Sequence, residues 1–576
     1  MNNQQVADIL RYVADCLEIQ GELIYKTLAY RKVADQIAAL PNDIAQIWQA
    51  GQLRSIPGVG QAIAEKLDSL LSTGTFDLYE RVQTEVPAGV VEMLRVPDVG
   101  PKKARLFWQE LGTSSVAELR QAALDGRLRS LPGMGEKSEA KILAGVEAYL
   151  RRAANPRLPL GKAYGLACAI LDELHGVPGV QRAAVAGSLR RWRETVGDLD
   201  FLVAADSSGT TAEAVMERFA NLPPVAEVLL RGATKTSVRL DNGAQADLRV
   251  VEAARWGTAL QYFSGSQAHN VRLREIAQKK GYSLSEYALT HVASGKEITC
   301  AEEAEVYNHL GLPYIPPELR EDRGEFEAEL PRLVEMADIQ GDLHMHSTWS
   351  DGKGSIADMA AAARRRGLSY VAITDHSQSM AIADGLSVER LRRQRAEVDA
   401  ANRAMGKEFR VLHGIEVEIR AGGELDFADE VLAELDIVVA SLHTGLHQGR
   451  EKTTRRFLAA IRNPHVDIIA HPSGRLIGER EGADLDYEAI LHAAAETHTI
   501  MEINANPARL DLDDIHARRA LELGCVLAIS TDAHTPDTLD LMPFGLATAR
   551  RAWATAESVA NTWPVDRLLA WIKART

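Results

Sequence analysis

Apolar and polar positions follow different periods in successive parts of the chain. Through residues 1–140 the apolar residues recur at the spacing of amphipathic helices, with short glycine-containing segments between them. Residues 196–203 and 236–251 show strand-like patterns instead, and Asp-Asn-Gly at residues 241–243 is a strong hairpin signal. Beyond residue 338, apolar strand-like runs alternate with helical patterns, which is typical of a βα barrel or an open α/β sheet. The pattern predicts a multidomain α/β protein.

Three similar segments punctuate the helical part, at residues 56–60, 96–100 and 131–135. They contain Ile-Pro-Gly-Val-Gly, Val-Pro-Asp-Val-Gly and Leu-Pro-Gly-Met-Gly, and each precedes a helix that carries a lysine. This internal repeat resembles the helix-hairpin-helix family. Such loops leave backbone N–H groups free for a DNA phosphate without reading the base. The resemblance implies DNA contacts at Gly58, Gly60, Gly100, Lys102, Gly133 and Gly135. Asp98 replaces the first glycine of the second copy, so we expect that loop to be structural only.

Composition limits where a nucleic acid could bind and where the protein is found. The 65 Lys and Arg are outnumbered by 80 Asp and Glu, so any nucleic-acid contact must be local. The N-terminus lacks a basic region followed by an apolar core, and no run approaches the roughly 18 apolar residues of a membrane span. We therefore expect a cytoplasmic protein with no membrane partner. The four widely spaced cysteines predict neither a disulfide framework nor a zinc knuckle.

The central strand pattern carries a carboxylate cluster. Period two places Asp198 and Asp200 on one face of a strand, and Asp247 lies on the second strand of the predicted hairpin. Two adjacent carboxylates repel each other, which favours a bound divalent cation or a raised pKa. Three carboxylates on adjacent strands can hold two Mg²⁺ or Mn²⁺ ions about 3.5–4 Å apart. A solvated acidic sheet edge is the alternative for an Asp-x-Asp pair taken alone.

The residues around these carboxylates resemble family X DNA polymerases of the nucleotidyltransferase superfamily, across residues 1–318. The resemblance rests on Gly-Ser-Leu-Arg-Arg at 187–191 and Tyr-Phe-Ser-Gly-Ser at 262–266, followed by Asn270 and Arg274. It implies that Asp198, Asp200 and Asp247 bind the catalytic Mg²⁺ or Mn²⁺ and activate the primer 3′-hydroxyl. It also implies nucleotide binding by Gly187, Ser188, Arg191, Gly197, Tyr262, Phe263, Gly265 and Asn270. Arg274 would contact the template strand.

Two further features bear on that resemblance. Val196 stands where relatives usually carry a hydroxyl that contacts phosphate, and Ser264 replaces a threonine. Lys66 lies in the segment where family members carry a lysine that forms a Schiff base with an abasic sugar. Such chemistry needs a neutral amine. The alternative is an ordinary phosphate-contacting lysine, so lyase activity stays open.

Histidines and acids recur at the ends of the apolar runs after residue 338. His344 and His346 are expected on one face of a strand, and further candidates follow each later run. In a parallel barrel these strand ends share one mouth, where catalysis takes place. The pattern resembles the PHP (polymerase and histidinol phosphatase) family. The family's metal ligands map onto His344, His346, Asp351, His376, Glu416, His443, His471, Asp532 and His534.

The PHP resemblance implies a distorted (β/α)₇ barrel that holds up to three ions. Mixed imidazole and carboxylate ligands suit Zn²⁺, Mn²⁺ or Fe²⁺ better than Mg²⁺. The reaction implied is hydrolysis of a phosphodiester or phosphomonoester. The main alternative is a degenerate barrel with a structural role only.

The resemblances together predict a succession of domains. We expect a lyase-like helix-hairpin-helix domain at 1–85, a second helix-hairpin-helix (fingers) domain at 86–155, a nucleotidyltransferase palm at 156–255, a thumb at 256–318, a linker at 319–337 and a PHP metallophosphoesterase domain at 338–576.

The function predicted is template-directed filling of short gaps in DNA repair. The barrel would act as a 3′–5′ exonuclease or cut abasic sites. The expected partners are gapped or nicked duplex DNA and deoxynucleoside triphosphates, and the expected state is a monomer. Two alternatives stay open: a nucleotidyltransferase acting on another substrate, and a DNA-binding scaffold with a structural PHP domain.

Overall fold

The computed structural model describes residues 1, 3–38, 40, 44–154, 157–205 and 209–574. It contains two compact units, Met1–Pro156 and Arg157–Thr576. Asn155 and Pro156 of the predicted interdomain segment lie outside the described residues. Within the described part of the chain, no helix has the length and apolar character needed to cross a membrane.

The first unit is entirely helical. Apolar side chains from most of its helices share one buried core that includes Leu10, Leu67, Phe107 and Val146. Its helices are α1 (Asn3–Gln20), α2 (Ile24–Ala38), α3 (Ile44–Gln49), α4 (Gln61–Thr73), α5 (Asp77–Glu85), α6 (Ala88–Glu92), α7 (Pro101–Leu111), α8 (Val116–Leu124) and α9 (Glu136–Ala154).

The three predicted hairpin loops have a common backbone conformation. Each follows a short 3₁₀ turn, at Leu53–Ser55, Met93–Arg95 and Leu128–Ser130, and each leads into a longer helix. The third residue of each loop is left-handed, with φ of 85° at Gly58, 65° at Asp98 and 74° at Gly133. Gly60 and Gly100 then cap α4 and α7 without a side-chain hydrogen bond, so the backbone N–H groups at these helix starts stay uncovered by a capping side chain.

Asp98 occupies the left-handed position at which glycine is favoured. Its Oδ1 forms a 2.9 Å ion pair with Lys141 Nζ, and its backbone carbonyl accepts a 2.9 Å hydrogen bond from Lys103 Nζ. The negative side chain is therefore paired within the protein, and it withdraws two lysines from this loop. That the second loop is structural only stays a prediction.

The second unit begins with an antiparallel-rich sheet covered by helices. Its elements are β1 (Leu158–Pro159), α10 (Leu160–His175), β2 (Val180–Val185), α11 (Gly187–Arg190), β3 (Thr195–Val196), β4 (Asp198–Ala205), α12 (Thr210–Ala220), β5 (Val225–Arg231), β6 (Lys235–Leu240) and β7 (Gln245–Glu252). The five-stranded sheet has the order β2-β4-β7-β6-β5, and only β4 and β7 pair in parallel. The predicted hairpin is confirmed as β6 and β7. Alternate residues of β4, such as Leu199 and Phe201, pack with α10 and α12.

A smaller α+β region follows, with α13 (Trp256–Ser264), α14 (Gln267–Lys279), β8 (Tyr282–Leu284), β9 (Leu289–His291), β10 (Glu297–Ile298) and α15 (Glu303–His309). Residues 319–337, predicted as a linker from their prolines and charges, are firmly packed at their start. Arg320 is fully buried and ion-pairs with Glu303 at 2.5 Å. Glu325 is also buried and lies 2.8 Å from His269 Nδ1. Paired buried charges explain why a polar segment is held here.

The rest of the unit is a nearly closed barrel of seven parallel strands, ordered β11 to β17 in sequence. Its elements are β11 (Gly341–Asp342), α16 (Ile356–Arg365), β12 (Tyr370–Ile373), α17 (Val388–Met405), β13 (Arg410–Glu418), α18 (Asp429–Leu432), β14 (Ile437–Ser441), α19 (Arg450–Ile461), β15 (Ile468–Ile469), α20 (Tyr487–Thr497), β16 (Ile500–Asn504), α21 (Asp514–Glu522), β17 (Leu527–Ser530), α22 (Met542–Arg551) and α23 (Val565–Lys573). A parallel bridge between Met345 and Ala533 brings the first and last strands together.

Alternate residues of the barrel strands face two different hydrophobic cores. Tyr370 and Ala372 of β12 belong to a cluster that Trp563 and α23 also line. The intervening Val371 and Ile373 belong to a larger cluster with the surrounding helices. Because both faces of each strand are buried, the strands are continuously apolar, as parallel strands in α/β proteins usually are. The predicted α/β barrel is therefore confirmed.

Candidate metal centres

The parallel pairing of β4 and β7 creates the first centre. Asp200 lies directly opposite Asp247 in this register, and Asp198 lies two residues earlier on the same face of β4. One carboxylate oxygen from each of the three lies within 4.8 Å of the others. The structure thus brings together the three aspartates predicted from the sequence.

Like charge dominates the electrostatics of this centre. Burial, together with the charges of Asp198 and Asp247, raises the pKa of Asp200 to about 7, although Lys235 and Arg191 oppose the shift. Lys235 Nζ lies 3.7 Å from Asp247 Oδ2 and is a neighbour that the sequence did not reveal. An all-oxygen set with surplus negative charge fits hard cations such as Mg²⁺ or Mn²⁺.

The predicted nucleotide loop lies against these carboxylates. Gly187 is left-handed with φ of 59°, and a Cβ atom built on it would lie 2.1 Å from Asp200 Oδ2. Glycine is therefore required for the close approach. Ala186 N donates a 2.8 Å hydrogen bond to Asp200 O, and Ser188 follows at the start of the short helix α11. Gly197 faces Arg157, whose Nη1 would lie 3.1 Å from a Cβ atom on this glycine.

Arg191, the predicted triphosphate ligand, is already engaged within the protein. Its Nε donates to Glu321 Oε1 at 3.0 Å, and its Nη1 donates to the carbonyl of Ser264 at 2.8 Å. The preceding Arg190 makes a bidentate pair with Glu303, at 2.8 and 2.6 Å, and donates to Ser264 Oγ. The sequence gave no indication that Arg190 would anchor the α15 region in this way.

The segment around α13 and α14 is tied together by Asn270. Its amide nitrogen donates to Tyr262 O at 2.7 Å, and a Cβ atom on Gly265 would lie 2.3 Å from its amide oxygen. The Tyr262 and Phe263 rings lie edge to face at 5.2 Å. Arg274 Nε donates to Asn270 O at 3.2 Å. These predicted nucleotide and template residues are thus neighbours, and the Asn270 amide fixes the α13–α14 turn.

The second centre lies at one end of the barrel strands and is organised around Glu416. Glu416 is 1% exposed, and its two carboxylate oxygens lie within 3.6 Å of a ring nitrogen of each of five histidines. Those histidines are His344, His346, His376, His443 and His471. Asp351 and Asp532 extend the cluster to His534. Asp351 Oδ1 lies 3.4 Å from His534 Nε2, and Asp532 Oδ1 lies 3.7 Å from His534 Nδ1. All of the predicted ligands therefore belong to one cluster.

Several buried nitrogen and oxygen atoms in this cluster, all of types that ligate metals, indicate a metal site. Among the described residues, His344 Nε2, His346 Nδ1, His471 Nδ1 and Glu416 Oε2 have no hydrogen-bond partner. An unsatisfied buried polar atom costs about 1–3 kcal/mol, so a ligand-free cluster of this kind is unfavourable. Burial and the neighbouring His376 lower the pKa of His346 to about 3, which keeps this imidazole neutral. Mixed nitrogen and oxygen donors fit transition metals or zinc.

The strand positions of the ligands differ from the prediction in two places. His344 and His346 were expected on a strand, but β11 ends at Asp342. Residues 344–346 are instead held irregularly from both sides, since His344 O accepts from Asp532 N and Met345 O accepts from Thr374 N. Glu416 lies within β13 rather than at its end, because β13 continues to Glu418.

Two glutamates missed in the sequence orient the histidines. Glu502 accepts a 2.8 Å hydrogen bond from His344 Nδ1 and another from the backbone N–H of His471. Glu418 lies 2.9 Å from His443 Nδ1 and accepts from Thr444. Both are nearly fully buried, Glu502 in β16 and Glu418 in β13. A buried acid two residues after a ligand was the available signal for Glu418.

Asp375 directly precedes the ligand His376 but has a different role. It is fully buried and accepts hydrogen bonds from Ser347, Ser350 and Gln394. Its carboxylate therefore braces the loop after β11 rather than joining the cluster.

Family models match four parts of the chain, and one curated relative matches its whole length. Family models match for a helix-hairpin-helix domain at residues 1–76, a SAM-like helix-hairpin-helix tandem at 90–147, a DNA polymerase beta thumb at 259–321 and a PHP domain at 342–506. The chain is 40% identical to the DNA polymerase/3′-5′ exonuclease PolX of Bacillus subtilis (strain 168), over 100% of both chains. It is 30% identical to a probable phosphatase of Thermoanaerobacter sp. (strain X514), over 41% of this chain and 94% of that protein. It is 25% identical to the DNA polymerase lambda of Rattus norvegicus, over 55% of this chain and 56% of that protein.

The raised pKa of Asp200 predicts a pH-dependent stability in the metal-free protein. A native pKa of about 7, above the ordinary 3.8, means that the folded state binds this proton more tightly than the unfolded chain. Stability is therefore lost as pH rises between these values. Asp200→Asn avoids that loss. The free energy of unfolding of this variant, relative to that of the native chain, should therefore rise by roughly 2–3 kcal/mol from pH 5 to pH 8. Urea unfolding in EDTA measures it, with Asp172→Asn on α10 as control. An advantage that does not change with pH contradicts the prediction.

The buried Glu502 carboxylate predicts a second effect, on metal affinity. Glu502→Ala removes the hydrogen bond that fixes the His344 tautomer. We expect Mn²⁺ affinity at the barrel centre to fall by roughly 10- to 100-fold, the usual effect of losing such a partner. Calorimetric Mn²⁺ titration measures it. Glu488→Ala, which removes an exposed partner of Arg519, is the control and should leave the affinity unchanged. Equal affinities for both variants would refute the role of Glu502.

Proposed function

Because the chain belongs to the PolX family of DNA polymerase/3′–5′ exonucleases, we propose that its two centres divide these reactions between them. The carboxylate centre would extend a primer, and the histidine-rich centre would shorten DNA 3′ ends. The resemblances to family X polymerases and to the PHP family are both confirmed. The observation that carries the division is that two chemically different ligand clusters lie on separate folds, an aspartate-bearing sheet and a histidine-bearing barrel.

At the carboxylate centre, Asp198, Asp200 and Asp247 would hold Mg²⁺ or Mn²⁺. When bound, such ions activate the attacking 3′-hydroxyl and stabilise the leaving pyrophosphate. The loop at Gly187 and Ser188 would receive the triphosphate beside the aspartates. Arg191 suits that anion because its planar fork matches phosphate oxygens. Its contact with the Ser264 carbonyl links it to the end of α13, whose last turn carries Tyr262 and Phe263, where the nucleotide sugar would pack.

DNA would be held mainly through its backbone. The hairpin loops at Gly58 to Gly60 and Gly133 to Gly135 offer uncharged backbone N–H donors at helix starts, which bind phosphate without reading sequence. Asp98 pairs with Lys141, so we propose that the second loop contributes least. We infer gapped or nicked duplex as the DNA substrate, deoxynucleoside triphosphates as the nucleotides and a monomer as the working state. Lys66 stays a candidate for lyase chemistry, and its Nζ now donates to Ala62 O at 2.9 Å.

At the barrel centre, His344, His346, Asp351, His376, Glu416, His443, His471, Asp532 and His534 would hold up to three ions, with Zn²⁺, Mn²⁺ or Fe²⁺ as the expected metals. Such ions polarise a phosphoester and supply a nucleophile at neutral pH. Glu502 and Glu418 keep the imidazoles in the tautomer that presents a lone pair to the cluster. The complete ligand set argues against a purely structural barrel. Phosphoester hydrolysis also agrees with the name of the Thermoanaerobacter relative, a probable phosphatase.

The assignment is tested with a 5′-labelled primer on one-nucleotide-gapped DNA, supplied with dNTPs and Mn²⁺. The native chain should add the templated nucleotide and also shorten 3′ ends. Asp198→Ala/Asp200→Ala should reduce extension by more than ~100-fold and retain shortening, because direct ligands matter at least as much as their hydrogen-bond partners. His344→Ala should show the opposite pattern.

The matched control is His492→Ala, which changes an exposed histidine on α20 far from the ligand set in sequence. Extension that survives loss of both aspartates would disprove the polymerase assignment. Shortening that survives His344→Ala would place the nuclease elsewhere. Untemplated addition to single strands would favour a nucleotidyltransferase acting on another substrate.

A further inference from the structure

The barrel contacts the loop that follows the predicted triphosphate-binding segment, through three separate residues. Phe544 of α22 lies 5.7 Å from the Trp192 ring and 5.4 Å from the Tyr164 ring, and it belongs to the same buried cluster as the sheet's core. Arg475 forms a 2.9 Å ion pair with Glu194. Arg551, the last residue of α22, donates a 2.8 Å hydrogen bond to the carbonyl of Arg191. Residues 191–194 are thus fixed from the barrel side.

Arg551 and Arg191 share one carboxylate. Glu321 Oε1 lies 3.0 Å from Arg191 Nε and 3.2 Å from Arg551 Nη1, and Arg193 approaches the same oxygen at 3.9 Å. The side chains of Arg191, Glu321 and Arg551 are only 12%, 12% and 3% exposed. Interactions between buried charges are screened much less than those at the surface, so the balance of charge here affects any anion bound nearby.

The network carries a surplus of positive charge. Arg551 Nη2 also pairs with Asp514 at 2.8 Å, and Asp514 pairs with Arg323 at 2.8 Å. Among the described residues, the ion pairs of these three arginines, Arg191, Arg551 and Arg323, involve two carboxylates, those of Glu321 and Asp514. Although burial pushes the pKa of Glu321 upward, the surrounding arginines outweigh it and lower that pKa, so Glu321 stays ionised. Without Arg551, the main ion-pair partner of Glu321 would be Arg191, and the Glu321 carboxylate would neutralise the charge of the Arg191 guanidinium.

The remaining contacts of Arg191 leave room for a ligand. A guanidinium has five N–H donors. Within the described part of the chain, the hydrogen bonds of Arg191 use Nε and Nη1. The Nη2 amino group is therefore available for a phosphate oxygen, provided that Glu321 does not draw the guanidinium away.

We propose that Arg551, although it belongs to the barrel, is a positioning residue for nucleotide binding at the carboxylate centre. It offsets the charge of Glu321 and holds the Arg191 carbonyl, so that the Arg191 guanidinium stays available to the triphosphate. The proposal rests on the proposed triphosphate role of Arg191. It implies that the barrel contributes to polymerisation through this contact, independently of hydrolysis at its own centre.

The test is steady-state extension of a gapped primer, with KM for the correct dNTP separated from kcat. Arg551→Ala should raise KM by between roughly 5- and 150-fold, the usual range of coupling between linked sites, with kcat nearly unchanged. Equilibrium binding of the dNTP to a dideoxy-terminated primer complex should weaken by the same factor. Exonuclease activity should stay at the native level.

Arg550→Ala is the matched control, since Arg550 is the preceding residue of α22 but pairs with Glu318 at 2.7 Å and with Val334 O. It should leave KM unchanged. The decisive variant is Arg551→Ala/Glu321→Gln, because neutralising Glu321 should free Arg191 and return KM towards the native value. A merely structural loss at Arg551 would not be rescued. Arg551→Gln, alone and with Glu321→Gln, provides the same comparison if Arg551→Ala does not fold.

The outcomes separate this proposal from the proposed function. An unchanged KM in Arg551→Ala, an equal rise in Arg550→Ala, or no rescue by Glu321→Gln would each overturn the role of Arg551. Arg191→Ala is measured in parallel. If Arg191→Ala weakens dNTP binding and Arg551→Ala does not, the proposal fails while the proposed function stands. If the native chain does not extend the primer, the proposed function itself fails.

Discussion

Charged and polar side chains buried on parallel strands are the constraint on which the rest of this structure depends. Parallel pairing of β4 with β7 places Asp200 opposite Asp247, and the barrel places Glu416 among five imidazoles. Burial opposes the charged forms at both centres, and at the aspartates the repulsion between carboxylates adds to that cost. The apolar cores beneath the two sheets hold the strands in register, and cations complete the arrangement.

The two centres meet that constraint with different chemistry. At the aspartate centre, burial and the charges of Asp198 and Asp247 outweigh the nearby Lys235 and Arg191, so the pKa of Asp200 stays raised in the absence of metal. The barrel centre interleaves imidazoles with carboxylates, and Glu416 lies 3.0 Å from His471. That mixture stabilises the ionised form of Glu416, whose pKa is lowered despite its burial. A hard, oxygen-only site and a softer nitrogen-rich site can therefore coexist on one chain with different metal preferences.

The sequence revealed those parts of the structure that depend on local patterns. Glycine spacing predicted the hairpin loops, Asp-Asn-Gly predicted the turn between β6 and the strand that carries Asp247, and polar residues after apolar runs predicted where the barrel ligands lie. Contacts between distant segments could not be predicted in this way. Nothing local marks Glu502 as the partner of His344, or Glu321 as the partner of Arg191. The segment at 319–337 was predicted as a linker from its prolines and charges. Its charges are buried because Arg320 pairs with Glu303 and Glu325 pairs with His269, and the local sequence does not show these contacts.

Packing between the sheet and the barrel also limits how the two centres can cooperate. Leu510 and Phe544 of the barrel belong to the buried core of the sheet, and both centres lie in the unit Arg157–Thr576. Breaking that contact would expose two large apolar side chains, at a cost of about 1.5–3 kcal/mol each. The centres are therefore held at a fixed separation. Under the proposed division of the two reactions, a strand extended at the aspartates would be shortened only after its 3′ end leaves them. The DNA end, rather than the barrel, would then move between the two reactions.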